Sequence, residues 1–475
     1  MMSSSTADTG FPAWVLAPGT PVEPVDADYE FAPQEAIDKW LDMKFGLRIH
    51  WGPLAHVAEG DWVVNGTDLT TDRTSLWPDR MEFEHFYYNY LHREFNPVAF
   101  DADAWADMMV RQGFKYFVFT TKTHVGFSLW DTKTRVKKRF IYNGPQAGQI
   151  EDCDLAFSIM ETFGRDIVKE VVAAGRRRDL GIGLYFSHVD FYDADFRVDS
   201  YNHPRPDPAY SRESDPEGWA RMVDRHREQI LELLTDYGDI DLLGFDICLS
   251  ADFWPDMKAN IKAARRAAPD TLFRRRGLGH YGDYQTPENN VPAPGEDGPV
   301  PITKPWQLIH TLGKSFFYEP AVENYHSQEW ILSTLIDAVA KGGNFMICIG
   351  PDAWGQFHPE AVRRLDYVGD WLQVNGEGIY GTRPWDKGKD GDCYFTRTKD
   401  NRHLFAISMS WPGSSLRLNG VQARSGSTIR MLGDDEDLEF SQDEVHLTIE
   451  LPERLQRPEG RPCEQAYVFK IELNR

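Results

Sequence analysis

The sequence predicts an α/β chain, a (β/α)8-like barrel followed by a C-terminal antiparallel β-sandwich domain. Three observations carry this expectation. Seven short apolar runs between residues 44 and 350 alternate with helix-length amphipathic segments. Those runs are mostly apolar without alternation, which marks parallel strands buried on both faces. After Tyr380 the helical signals stop, and alternating runs separated by turn residues follow, as in a sandwich. The expected division is an N-terminal tail over 1–29, the barrel over 30–384 and the β-sandwich domain over 385–475.

The tail is small, polar and Pro-containing. The barrel strands are expected at KFGLRIH (44–50), KYFVFTT (115–121), GIGLYFS (181–187), DLLGFDI (241–247), TLFRRR (271–276), SFFYE (315–319) and NFMICIG (344–350). Helices are expected over Asp103 to Gln112, stopped by Gly113, and over Ile159 to Arg178. Two more run from Trp219 to Tyr237, stopped by Gly238, and from Gln328 to Lys341, capped by Ser327. The sandwich strands are expected at DCYFTRT (392–398), RHLFAISMS (402–410), STIRML (427–432), EVHLTIEL (444–451) and AYVFKIEL (466–473). This second domain is expected to pack against the barrel rather than to act as a separate carbohydrate-binding module.

The composition narrows the partners. A chain of 475 residues with 41% hydrophobic residues buries a core without metal or disulfide staples. Its five cysteines, Cys153, Cys248, Cys348, Cys393 and Cys463, are scattered and form no CxxC pair, so neither a disulfide framework nor a zinc site is expected. With 51 basic against 74 acidic residues the net charge is −23, which argues against nucleic acid and against an anionic membrane surface. The first residues show no signal peptide and no membrane span, so a cytoplasmic location is expected. No P-loop, HExxH or GxSxG is present, and Gly277-x-Gly279-x-x-Gly282 opens no helix, so no nucleotide or metal cofactor is expected. Homo-oligomerisation stays open.

In a barrel the acting residues stand at the C-terminal ends of the strands. There the runs end in His50, in Thr123 and His124, in Tyr185, Ser187 and His188, in Asp246, and in Arg274 to Arg276. Asp246 is the sharpest of these. A carboxylate closing a buried strand is costly unless it is paired or put to use. Glu288, in GDYQTPE (282–288), is the carboxylate that pairs with it most readily for acid–base work. Two carboxylates facing one pocket are the minimum for glycosidic bond cleavage, one kept ionised and one protonated. His50 beside Trp51 suits a sugar, offering a hydroxyl partner next to a ring. Arg275 faces the opposite way from Arg274 and Arg276, so the triplet is not one patch.

These residues resemble the α-L-fucosidases of glycoside hydrolase family 29 over roughly residues 35 to 390. MKFGLRIHWG (43–52) is similar to the family's first-strand motif, and FKYFVFTTKTHVGFSLWDTK (114–133) to the segment containing KHHDGF. IDLLGFDI is similar to the nucleophile strand. GGNFMICIGPDAWG (342–355) and WLQVNGEGIYGTRPW (371–385) are similar to the closing segments. The resemblance implies a retaining exo-glycosidase that removes a terminal α-linked fucose or a related sugar by double displacement, with Asp246 as nucleophile and Glu288 as acid/base. The two carboxyls of a retaining pair stand roughly 5–5.5 Å apart. It also implies sugar contacts from His50, Asp61, Trp62, Thr123, His124, Tyr185 and Arg276, and a carbohydrate substrate without metal or cofactor. The sequence departs from the family at Thr123, Val125 and Gly244, where the family has His, Asp and Trp, and at Asp61, where it has Glu. Gly244 opens space beside the nucleophile. A different sugar on the same scaffold, or a sugar-binding protein that has lost turnover, are the alternatives these departures leave.

Overall fold

The computed structural model describes residues 23–58, 80–198, 203–247, 250–291 and 305–474. Its first helix, α1 (Gln34–Met43), leads into β1 (Phe45–Ile49). Then come α2 (Arg80–Asn89), α3 (Ala102–Arg111) and β2 (Tyr116–Lys122). A hairpin of β3 (Val136–Phe140) and β4 (Ile150–Leu155) precedes α4 (Ile167–Arg176) and β5 (Gly181–Ser187). Next are α5 (Pro216–Thr235), β6 (Leu242–Asp246), α6 (Trp254–Ala267) and β7 (Leu272–Phe273). β8 (Gln307–Thr311), α7 (Gln328–Ala340), β9 (Asn344–Ile349) and α8 (Pro359–Asn375) complete this half.

Seven strands form one parallel sheet in the order β7-β6-β5-β2-β1-β9-β8. The eighth position is filled by an irregular segment. Arg274 bridges Tyr284 on one side, while Gln285 and Glu288 bridge Trp306 and Ile309 on the other. Residues 284–288 therefore close the ring between β7 and β8, and Glu288 stands in the barrel wall. Inside the ring lie Tyr116, Val118, Tyr185, Leu242, Leu272, Tyr284, Ile309 and Met346. The alternate residues, among them Phe117, Leu184, Leu243 and Phe345, meet the helices outside. Burial on both faces explains why the runs read as continuous.

Several expectations are corrected. SFFYE (315–319) is not a strand. The pairing position belongs to QLIHT (307–311), whose Gln307 and His310 hid it, and the ring of Phe317 packs on His50 with centroids 4.4 Å apart. TLFRRR holds only a two-residue strand, because Asp283 accepts from Phe273 N and the chain turns away at Arg275. The helix expected from Ile159 to Arg178 is broken. A single turn at Ile159–Glu161 is followed by Gly164 at φ 69°, and α4 starts after Asp166, whose side chain accepts from Lys169 N. Glu151, Asp152 and Asp154 lie on β4 at the surface, where Glu151 pairs with Arg139, Asp152 with Lys138, and Asp154 with Arg135 and Lys137. Residues 23–29 wrap onto the barrel: Tyr29 is buried against Tyr281, and Glu23, Asp26 and Asp28 pair with Lys258 and Lys262 of α6. Cys248 lies outside the described residues.

The remaining strands are antiparallel: β10 (Arg383–Asp390), β11 (Cys393–Arg397), β12 (His403–Ser408), β13 (Ser415–Asn419), β14 (Ile429–Met431), β15 (Asp437–Leu438), β16 (Phe440–Gln442), β17 (His446–Glu450) and β18 (Tyr467–Glu472). They form a six-stranded sheet, β10-β11-β12-β18-β14-β15, over a three-stranded one, β13-β17-β16. Phe395, Leu404, Phe469 and Ile471 meet Leu418, Leu447 and Ile449 between the sheets. From the same strands, Phe405, Ile407 and Val468 join the core that surrounds the barrel. Trp371 of α8 donates to Ala466 O at 3.0 Å, and Thr396 donates to Gly378 O at 2.7 Å.

Candidate active site

Asp246 ends β6 and is 7% exposed. Tyr185, on the inner face of β5, donates its hydroxyl to Asp246 Oδ2 at 2.8 Å. Ile247 N donates to Oδ1 at 3.1 Å, and Arg276 Nε stands 2.9 Å from the same oxygen. The Arg276 contact is a charge contact rather than a well-aligned hydrogen bond, since its Nε counts as lacking a hydrogen-bond partner. Burial pushes the carboxyl's pKa up. The guanidinium groups of Arg276 and Arg274, with His124 and Arg48, outweigh burial and hold it well below the usual carboxylate range. Asp246 is therefore ionised at any working pH.

Glu288 enters from the closing segment of the barrel and is held by Arg276 Nη1, which donates to Oε2 at 2.7 Å. One guanidinium thus touches both carboxylates that the sequence singled out, which places them on one pocket. Burial opposes the charge on Arg276, but Asp246 and Glu288 on either side keep it a firm cation.

His50, 4% exposed, follows β1. Its Nδ1 lies 2.8 Å from Thr120 Oγ1 and 3.3 Å from Arg48 Nη2. Arginine only donates, so Nδ1 is the acceptor and the ring proton sits on Nε2. Burial, with Arg48 and His124 nearby, pushes its pKa well below 6.5, so the ring is neutral. Thr123 and His124 follow β2 and are each 4% exposed. His124 Nδ1 lies 2.6 Å from Ser187 Oγ, which donates to Val189 O. His50, Thr123, His124, Tyr185, Asp246, Arg276 and Glu288 thus all gather at one end of the barrel. Asp61 and Trp62 lie outside the described residues.

The other site candidates divide. Arg275 points outward, donating to Gly279 O and to His280. His188 also points outward, stacked on Phe245 and bonded to His226 of α5. Arg274 points inward, as its parity with Arg276 requires, and donates from Nε to Thr286. Sequence reasoning missed Arg48. A charged residue inside the apolar run KFGLRIH, two places before His50, is the same kind of signal that exposed Asp246.

This arrangement meets known proteins at both halves of the chain. The family model described as Alpha-L-fucosidase matches residues 23–377, and the one described as Alpha-L-fucosidase C-terminal domain matches 388–472. The plasma alpha-L-fucosidase of Homo sapiens is 26% identical over 450 residues, covering 90% of this chain and 88% of its own. The tissue alpha-L-fucosidase of Mus musculus is 25% identical, covering 94% of each. Alpha-L-fucosidase isoenzyme 1 from Paenibacillus thiaminolyticus superposes with a TM-score of 0.73 at 24% identity, covering 93% of this chain and 99% of its own. An alpha-L-fucosidase of Bacteroides thetaiotaomicron gives 0.73 at 20% identity, covering 96% and 98%. The two structures share the fold, a barrel followed by a β-sandwich.

Proposed function

The chain belongs to the alpha-L-fucosidase family of glycoside hydrolases, and on that premise we propose that it releases a terminal α-linked fucose or a closely related sugar by double displacement on Asp246 and Glu288. The observation that carries this assignment is Arg276, in contact with both carboxylates at 2.9 and 2.7 Å. Asp246, ionised and oriented by Tyr185, attacks the anomeric carbon while Glu288 gives its proton to the departing oxygen. The glycosyl ester that forms is neutral at Asp246. Glu288, having given up its proton, takes one from the incoming water. Water attacks the same carbon, the ester bond breaks, and the sugar leaves with its configuration retained. His50, neutral and with its proton on Nε2, offers a donor for a sugar hydroxyl. His124, Tyr185 and Thr123 line the same face.

The test compares wild type, Asp246→Asn and Glu288→Gln on 4-nitrophenyl α-L-fucoside, with the first-formed anomer read by NMR. Loss of turnover of about 10⁴-fold or more in Asp246→Asn, with sugar binding kept, and an α product are expected. An Asp246→Asn enzyme with near wild-type rates, or a β product, sinks the assignment. Sugar binding with no turnover of any glycoside by wild type would instead support the reading as a binding protein.

A further inference from the structure

Among the described residues the pocket holds more positive charge than its carboxylates match. Arg48 on β1 and Arg274, just past β7, both point to the barrel axis, Arg274 one layer below the nucleophile and Arg48 against the ring of Tyr185. The register shows the layering: Ser187 pairs with Asp246, and two residues lower Tyr185 pairs with Gly244. A Cβ at Gly244 would stand 3.8 Å from Tyr185 Cδ2 and 3.9 Å from Arg274 Cδ, so Gly244 borders the Arg274 side chain. Arg48 is 4% and Arg274 2% exposed.

Their partners are neutral. The Arg48 guanidinium lies 4.2 Å from the ring centre of Tyr185 and 5.2 Å from that of Phe316, with Nη2 toward His50. Arg274 Nε donates to Thr286 Oγ1 at 2.8 Å. Arg48 Nε and Arg274 Nη2 are buried with no hydrogen-bond partner. Among the described residues neither arginine forms an ion pair, because Arg276 takes both Asp246 and Glu288. Among the described residues three guanidinium groups thus face two carboxylates, beside a neutral His50. Asp246 does not need the extra pair: Arg276, Tyr185 and the Ile247 amide already satisfy it. A buried cation without a counter-ion is costly, and a guanidinium is shaped to take an oxyanion.

We infer that the sugar held in this pocket carries an anionic substituent, a carboxylate or a sulfate ester, bound by Arg48 and Arg274. The inference rests on the glycosidase reading and narrows its substrate class. The anion belongs to the sugar itself and not to the leaving group, because both arginines lie inside the barrel, beside Tyr185 and Gly244, whereas the leaving group departs outward. The pocket also reverses locally the net charge of −23 that would otherwise repel such a substrate.

The experiment uses three 4-nitrophenyl glycosides: the α-L-fucoside, its counterpart with a C6 carboxylate in place of the methyl group, and a fucoside sulfate ester. kcat/KM is measured for wild type, Arg48→Gln and Arg274→Gln. Wild type is expected to favour one anionic substrate over the neutral fucoside by about 100-fold, and each variant to lose most of that ratio. Which anionic arm responds distinguishes carboxylate from sulfate. Preference of the wild type for the neutral fucoside, or variants that lower all three substrates in parallel, would overturn the inference and leave the arginines as support for Asp246. The wild-type ratio decides the matter even where a variant folds poorly. Should no glycoside turn over, the glycosidase reading fails, and binding still tests the pocket. Free fucose and its C6-carboxylate counterpart are compared by thermal shift in wild type, and no preference for the anion counts against the inference.

Discussion

Two clusters of buried charge lie on opposite sides of the same strand wall. Outside it, between β2, β5 and α5, Arg225 Nη1 meets Asp190 Oδ2 at 2.6 Å and Asp193 Oδ2 at 3.2 Å, and Lys122 Nζ stands 3.5 Å from Asp190. Two cations face two carboxylates. Burial pushes Asp190 up, but Arg225 and Lys122 draw its pKa down to about 2, and burial draws Lys122 down to about 8 against the pull of Asp190. Inside the wall, three guanidinium groups face two carboxylates. Incomplete hydrogen bonding does not separate the clusters, since Arg225 also leaves Nε and Nη2 without partners. The charge count does. The outer cluster pairs its carboxylates with Arg225 and Lys122, although burial still pushes Asp193 up to about 7, and it tethers the segment after β5 to the barrel. Among the described residues the inner one lacks a negative group to match its third guanidinium. A buried ionic group therefore reads as scaffold or as site according to whether its neighbours already neutralise it.

The largest expected effect falls on the closed cluster. Arg225→Met leaves Asp190 and Asp193 facing Lys122 alone and is expected to cost about 3–5 kcal/mol in a urea melt. A cost below about 1 kcal/mol would mean the outer charges are as poorly matched as the inner ones. Next comes the group that spans the two catalytic carboxylates. In wild type Asp246 stays ionised far into acid, so the acid limb of kcat/KM does not report it. Arg276→Gln removes its nearest cation, and the acid limb is expected to move up by about 1–3 pH units. An unmoved limb would show that Arg276 does not hold the nucleophile's charge. The linkage has the same sign. Because the folded pKa of Asp246 is depressed, its contribution to stability is complete above the unfolded value, about 3.9. It fades only as pH falls toward the lower folded value.

The open cluster predicts the opposite of the closed one. Arg48→Met or Arg274→Met removes a buried cation that forms no ion pair among the described residues and adds only to the field on Asp246, so the cost is expected to be about 1 kcal/mol or less. A loss as large as that for Arg225→Met would reveal a counter-charge already in place. The smallest effect is at Gly244, where a Cβ meets Leu184 O, Tyr185 and Arg274 at 3.6–3.9 Å, ordinary contact distances. Gly244→Ala is expected to change the melting temperature by only about 1–2 °C.

The sequence made most of the wall legible, and for a physical reason. Strands buried on both faces carry few polar interruptions, so β1, β2, β5, β6 and β9 stood out as runs. β8 was missed because its own residues break that pattern: Gln307 bonds Tyr116 across the interior and His310 packs on His326 and Trp330. Glu288 could be named from its motif, but nothing in the spacing says that residues 284–288 close the barrel through isolated bridges to both neighbours. The inward parity of Arg274 and Arg276 was readable. Arg48 sat in plain view inside an apolar run and was passed over. That its charge is unmatched is a property of the whole ring of strands, and no local pattern contains it.

The place of the last strand has a consequence for how the chain can be made. β18 is the final element, yet in the six-stranded sheet it runs between β12 and β14, with Val468 turned to the barrel and Phe469 to the sandwich. During synthesis the catalytic half therefore leaves the ribosome complete but with part of its outer shell bare, including the apolar side of β12. The sheet can be finished only when the final residues emerge. Loss of β18 (Tyr467–Glu472) would take away a central strand, leave two unpaired edges at β12 and β14 and an uncovered core, and yield a product prone to aggregate.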